Sequence, residues 1–142
     1  MKIVYTSKMK IKWKDEYKTG KTDVDEQHKY LFDLFNDMVD IIEFNNKDAQ
    51  IEKYIKTLEY YAINHFEKEE STLEKLPMDM YRQHIAEHDE FKTIIEKLYS
   101  EIYADGDISS LYQISLFLSQ WLINHVQYSD KYDLNTKVIL VS

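Results

Sequence analysis

Residues 24–42 read VDEQHKYLFDLFNDMVDII, and this stretch decides the fold. Apolar residues and one histidine recur along it with alternating gaps of four and three, at Val24, His28, Leu31, Phe35, Met38 and Ile42. This spacing puts the six side chains in a row on one face of a helix, here called a seam, which packs against a core. The stretch therefore predicts a long amphipathic helix over about residues 23–45.

Three further stretches repeat this spacing and predict helices over about residues 48–76, 80–104 and 108–130. Their seams are Ile51, Ile55, Leu58, Ala62, His65, Glu69, Thr72 and Leu76; Tyr81, His84, His88, Phe91, Ile95, Leu98 and Ile102; and Leu111, Ile114, Leu118, Trp121 and His125. Pro77 stops the second helix, and a turn at Asp105-Gly106-Asp107 follows the third. Connections of a few residues make successive helices antiparallel. We predict an all-α, up-down-up-down antiparallel four-helix bundle.

The composition fits one helical domain over residues 1–142, with an N-terminal arm over 1–21 that Trp13 and Tyr17 anchor. Only two glycines and one proline interrupt the chain, which leaves room for long helices. The absence of cysteine excludes disulfides, thiolate metal sites and iron–sulfur clusters. A net charge of −8 argues against nucleic acid and anionic membranes as partners. No apolar run approaches membrane-spanning length, and the expected location is the cytoplasm.

All five histidines lie on the seams, and so does Glu69. Burying that many polar rings without partners would cost on the order of 1–3 kcal/mol each, and a shared metal removes that cost. Counted from the helix ends at 1.5 Å per residue, four of the histidines lie roughly 25–29 Å from one end of the bundle. Glu69 and His84 lie one turn beyond them. The sequence therefore predicts that these side chains converge on one level.

The spacing within each helix also fits metal binding. His65-x3-Glu69 and His84-x3-His88 are i,i+4 pairs that face the same way. His125-x4-Asp130 differs, because five residues of regular helix turn Asp130 about 140° away from His125. If both side chains bind metal, the helix must widen, bend or end there, and a π-type bulge would suffice. From the acidic run Glu67, Glu69, Glu70 and Glu74, only Glu69 is assigned to the site; the others are read as a solvated face.

Five imidazoles and two carboxylates are too many ligands for one ion, whereas two ions with bridging carboxylates use them well. Nitrogen and oxygen ligands without thiolate suit iron, manganese, zinc, copper or nickel, and the residues alone do not choose among these metals.

The ligand pattern resembles the hemerythrin family, most closely its single-domain bacterial members, the bacteriohemerythrins. The likeness rests on Asp25-Glu26-Gln27-His28, His65-Phe66-Glu67-Lys68-Glu69-Glu70, His84-x3-His88-x2-Phe91 and Trp121-Leu122-x2-His125-x4-Asp130. The resemblance implies two iron ions with an oxo or hydroxo bridge. It assigns three histidines to one iron, two histidines to the other, and two carboxylates to both: His84, His88 and His125; His28 and His65; Glu69 and Asp130.

The resemblance further implies a function at the open position of the two-histidine iron, namely reversible O2 binding without enzymatic turnover, as a carrier, store or supplier. Trp121, Leu122 and Val126 match the apolar O2 pocket of the family, although core packing explains each of them equally well. Other small anions or NO are further ligands for the same position. The alternatives are a di-iron enzyme, such as an oxidase, peroxidase or nitric-oxide-handling protein, and a protein for iron storage or sensing. The oligomeric state stays open, with a monomer among the options.

Overall fold

Four long helices form the molecule, and the computed structural model describes residues 10–45, 48–104 and 108–135. The helices are α1 (Thr22–Asp40), α2 (Asp48–Leu73), α3 (Met78–Tyr103) and α4 (Ile108–Asn124). Each packs against the next along the chain, and α1 also contacts α4, which closes the bundle. This confirms the predicted all-α four-helix bundle. No helix among the described residues is long and apolar enough to cross a membrane.

Two helices continue with a widened turn. A π-helical segment, Ile41–Asn45, extends α1, and a second one, His125–Asp130, extends α4 and leads into the short α5 (Lys131–Leu134). The second segment begins and ends at the two residues whose spacing did not fit a regular helix. The predicted turn at Asp105-Gly106-Asp107 lies outside the described residues.

Helix α2 ends earlier than the predicted residue 76. It stops at Leu73, and the Leu76 N–H donates to the Leu73 carbonyl in a turn, 3.0 Å away. Pro77, which cannot donate a backbone hydrogen bond, follows that turn and precedes α3. The seam also differs near this end, because Leu73 is buried and Thr72, predicted on the seam, is exposed. After Glu69, the next buried residue of the seam therefore comes four positions later, at Leu73, and not three positions later, at Thr72.

The predicted anchors of the N-terminal arm pack on α1. Trp13 makes edge-to-face contacts with Tyr17 and Phe32, with ring centroids 5.6 and 5.4 Å apart. The Ile11 N–H donates to Asn36 Oδ1 at 2.9 Å, and Asn36 Nδ2 donates back to the Ile11 carbonyl at 2.8 Å. The arm therefore packs against the middle and the C-terminal half of α1 through both apolar and polar contacts.

Asp25, in the first turn of α1, joins the arm to the helix. Its carboxylate accepts hydrogen bonds from the Thr19 N–H at 2.8 Å, the Thr19 hydroxyl at 2.8 Å and the Gly20 N–H at 3.3 Å. Gly20 has a φ of 90°, a left-handed conformation that glycine adopts without strain. The chain can therefore turn sharply into α1 while the carboxylate holds the turn.

Replacing Asp25 by alanine should lower the free energy of unfolding by about 2 kcal/mol, because it leaves the buried N–H and hydroxyl of Thr19 without their acceptor and also removes the hydrogen bond from the Gly20 N–H. Urea unfolding at equal metal content measures the change. Asp33→Ala is the control, since Asp33 is exposed on the same helix and its loss should change stability by less than about 0.5 kcal/mol. Equal effects of the two substitutions would show that Asp25 does not stabilise the turn.

Candidate metal centre

The seven side chains predicted to bind metal meet in one buried cluster inside the bundle. Each is at most 5% exposed, and α1, α2, α3 and the second π-helical segment all contribute to the cluster. They form two groups whose ligand atoms lie within 4.8 Å of one another: Glu69, His84, His88, His125 and Asp130; and His28, His65, Glu69 and Asp130. The two carboxylates belong to both groups, while each histidine belongs to one.

The ring nitrogens point at shared centres. His28 Nε2 lies 2.9 Å from His65 Nε2, and His88 Nε2 lies 3.1 Å from His125 Nε2. Two nitrogens bound to one ion at right angles, each about 2.1 Å from it, are separated by about 3.0 Å. The spacing within each histidine group is therefore the spacing of two ligands of one ion.

Glu69 lies at the middle of the cluster. Its carboxylate oxygens approach Nε2 of all five histidines, between 2.5 Å for His84 and 3.8 Å for His28. Asp130 approaches His28 at 2.9 Å and both His84 and His125 at 3.0 Å. Each carboxylate thus contacts histidines of both groups, as a bridging ligand must.

Two of these carboxylate oxygens lack hydrogen bonds despite their close neighbours. Glu69 Oε2 and Asp130 Oδ1 are buried without a hydrogen-bond partner among the described residues. Both nevertheless lie within 3.0 Å of a histidine Nε2, so their contacts do not have the direction of a hydrogen bond. Buried anionic oxygens in this condition are costly unless a cation neutralises them. The donor set therefore fits two metal ions.

The electrostatics of the pocket also favour positive charge. Burial disfavours the protonated ring of His28, but the nearby carboxylates of Asp130 and Glu69 outweigh burial and raise its pKa to about 9. The same balance raises the pKa of His84 to about 10. Protons and metal ions compete for these nitrogens, and either supplies the positive charge that the two carboxylates require.

The π-helical segment explains how Asp130 reaches the site. A π-helix closes its hydrogen bonds between residues five apart, so His125 and Asp130 face the same direction across the widened turn. Both side chains are buried, with exposures of 2% and 1%. The widened turn that His125 and Asp130 need in order to bind at one site is therefore present.

Four of the five histidines have an outer hydrogen-bond partner at Nδ1. His65 Nδ1 lies 2.5 Å from Gln27 Oε1, and the other three partners are carboxylates, at 2.7–3.1 Å: Asp133 for His84, Glu70 for His88 and Glu87 for His125. These oxygens accept only, so Nδ1 of each ring donates a proton outward and Nε2 is the atom that faces the centre.

Sequence reasoning missed these outer partners and placed Glu70 on the solvated face. Gln27, Glu70 and Glu87 each adjoin a residue of the metal cluster in the chain: His28, Glu69 and His88. A neighbour in a helix points about 100° away, toward the next helix, where it meets a different histidine. A polar residue directly beside a seam histidine or carboxylate is the signal that could have found them.

The residues of the predicted O2 pocket lie around His125. The Trp121 ring is half-buried and stacks on His125, with centroids 4.5 Å apart and planes 12° apart. Leu122 and Val126 are buried in the hydrophobic core. Phe66, which was not among the predicted pocket residues, stacks on His88 with centroids 4.0 Å apart. Aromatic and aliphatic side chains thus cover the three-histidine group.

Comparisons with known proteins agree with this geometry. The family model of the hemerythrin HHE cation binding domain matches residues 19–134. The bacteriohemerythrin of Methylococcus capsulatus is 30% identical over 116 residues, covering 82% of this chain and 87% of the relative. That of Pseudomonas aeruginosa is 28% identical over 118 residues, covering 83% and 75%. A hemerythrin-like protein of Naegleria gruberi is 29% identical over 118 residues, covering 83% and 86%.

No solved structure matches the chain significantly. The family model alone covers most of the sequence, from Thr19 in the arm to Leu134 at the end of α5, and includes all seven residues of the buried cluster. The chain belongs to the hemerythrin family.

Proposed function

We propose that the protein binds O2 reversibly at a non-heme di-iron centre with an oxo or hydroxo bridge, as a carrier, store or supplier rather than an enzyme. The observation that supports this most is the asymmetry of the cluster. One group offers three histidines and two carboxylates, whereas the other offers two histidines and the same two carboxylates. The group with fewer ligands has room for an exogenous ligand, as open metal sites do.

Two ferrous ions in this cluster would supply the electrons that O2 takes up on binding. The protein contributes the geometry and an apolar cover on one side of the cluster. Glu69 and Asp130 hold both positions together, and the Nδ1 hydrogen bonds fix the rings. Phe66 and Trp121 exclude water from the three-histidine side of the cluster, which limits side reactions at that ion. Trp121, Leu122 and Val126, which lie around His125, are our candidates for the apolar wall where the O2 site borders the three-histidine group.

An oxygen cycle tests this function. Protein loaded with ferrous iron and exposed to air should develop a visible charge-transfer absorption band that fades on degassing and returns with O2. Repeated cycles with little loss of amplitude support reversible binding. A band that never returns after reduction and re-aeration would point to the enzyme or storage alternatives instead.

The two metal positions should differ in their response to loss of one histidine. His28→Ala leaves the two-histidine group with His65 alone, so we expect this variant to retain about one of the two ions after dialysis. The reciprocal variant His88→Ala leaves two histidines, His84 and His125, on its ion and should retain more metal. Metal analysis per chain measures both. Loss of both ions to the same extent in the two variants would contradict the unequal positions.

A further inference from the structure

A pocket of about 250 Å³ lies beside the two-histidine group, between α1, α2 and α5. His65 and Glu69 form its floor. These two residues keep exposures of 5% and 4%, whereas the other five members of the cluster are exposed by 2% or less. Solvent therefore reaches the cluster at the two residues that the pocket contacts.

The rim of this pocket carries more positive than negative charge. Lys21 and Lys68 lie on it with one carboxylate, Asp23, which leaves a net charge of +1 at the rim; the second carboxylate of the lining, Glu69, lies at the floor and belongs to the metal cluster. Both lysines are exposed, and neither ammonium forms an ion pair with a described residue. In a protein of net charge −8, this is a local reversal of sign.

We propose that this pocket, the basic mouth, admits small monovalent anions to the metal ion held by His28 and His65. Lys21 and Lys68 attract the anion at the rim, and it then passes Thr72 and Leu134 to the floor. The inference rests on the proposed function for the open position that the anion would occupy. It adds the route, the sign of charge that the route selects and the residues that set both.

Removing positive charge from the basic mouth should change the entry rates of anions and cations in opposite directions. Lys68→Gln should slow azide binding to the oxidised iron-loaded protein roughly threefold at low ionic strength, because the mouth loses half of its positive charge. The same variant should speed the uptake of Co²⁺ by metal-free protein, since a cation no longer meets that charge. Stopped-flow absorbance follows both reactions, and both differences should shrink at 1 M salt.

Lys97→Gln is the matched control. Lys97 is exposed on α3, contributes to neither of the two pockets that reach His65, and its loss changes the net charge equally. It should leave both rates close to those of the wild type. If Lys68→Gln changes the anion and cation rates in the same direction, or no more than Lys97→Gln does, the basic mouth is not the route.

A steric pair of variants tests the path itself. Thr72→Trp should narrow the mouth and slow azide and Co²⁺ together. Asn64→Trp is placed on the same helix in the neighbouring pocket of about 560 Å³, which reaches His65 from the side of Tyr60 and Tyr61. If Asn64→Trp slows azide binding and Thr72→Trp does not, azide enters through the neighbouring pocket, and the proposal is overturned.

Failure of the mouth and failure of the proposed function give different results. Wild-type protein that binds azide at a rate unaffected by Lys68→Gln and Thr72→Trp overturns the mouth alone. Iron-loaded wild type that binds no azide overturns the open position, and with it both proposals.

Discussion

Insertion of one alanine between Gln127 and Tyr128 is expected to turn Asp130 out of the metal centre and to lower metal affinity by at least about 100-fold. Loss of an outer hydrogen-bond partner alone lowers metal affinity by about 10–100-fold, and this insertion displaces a residue shared by both metal positions. The insertion lengthens the spacing from His125 to the aspartate to six residues. Neither an α-helix nor a π-helix keeps residues six apart on one face. Competition with a chelator measures the affinity.

Deletion of Gln127 is the matched control for this insertion. The deletion shortens the spacing from His125 to the aspartate to four residues, which a regular α-helix keeps on one face. We therefore expect the π-helical turn to become α-helical while the aspartate stays in the centre, with metal binding largely retained. Metal binding that survives the insertion would contradict the role of the widened turn.

Glu69→Ala is expected to remove both metal ions. Its carboxylate is the group that approaches Nε2 of all five histidines, within 3.8 Å. Without it, each position loses an anionic ligand, and only Asp130 remains to connect the two. This effect should exceed that of His28→Ala, which takes a ligand from one position only. Metal analysis after anaerobic loading measures the difference.

Glu67→Ala controls for the change of charge. Glu67 is exposed on α2, two residues before Glu69, so its loss alters the net charge equally without touching the cluster. It should bind two ions per chain, as the wild type should. Circular dichroism establishes that both variants keep their helices. A Glu69→Ala protein that still holds two ions would show that the bridge does not depend on this carboxylate.

The sequence predicted the bundle because the period of its apolar residues is regular over many turns. The convergence of the histidines followed from counting residues along α1 to α4, and the structure brings all seven predicted side chains together. The irregular spacing of His125 and Asp130 predicted a widened turn only if both belonged to one site. The structure shows that turn as a π-helix.

Other features escaped the sequence because they depend on how helices face one another. On α4, Ser115 and Leu122 are buried, while Ile114 and Trp121, predicted on the seam, are only partly buried. Small side chains can be hidden wherever a neighbouring helix comes close, and polarity does not reveal this. Outer partners such as Glu87, with His125 at 3.1 Å, likewise belong to a contact between two helices.

Anaerobic titration of the metal-free protein with Fe²⁺ tests most directly whether these residues form a two-ion centre with unequal positions. We predict saturation at two equivalents per chain, with the second equivalent bound more weakly than the first because its position has two histidines rather than three. Saturation at one equivalent, or two equivalents bound with the same affinity in wild type and His28→Ala, would contradict the account.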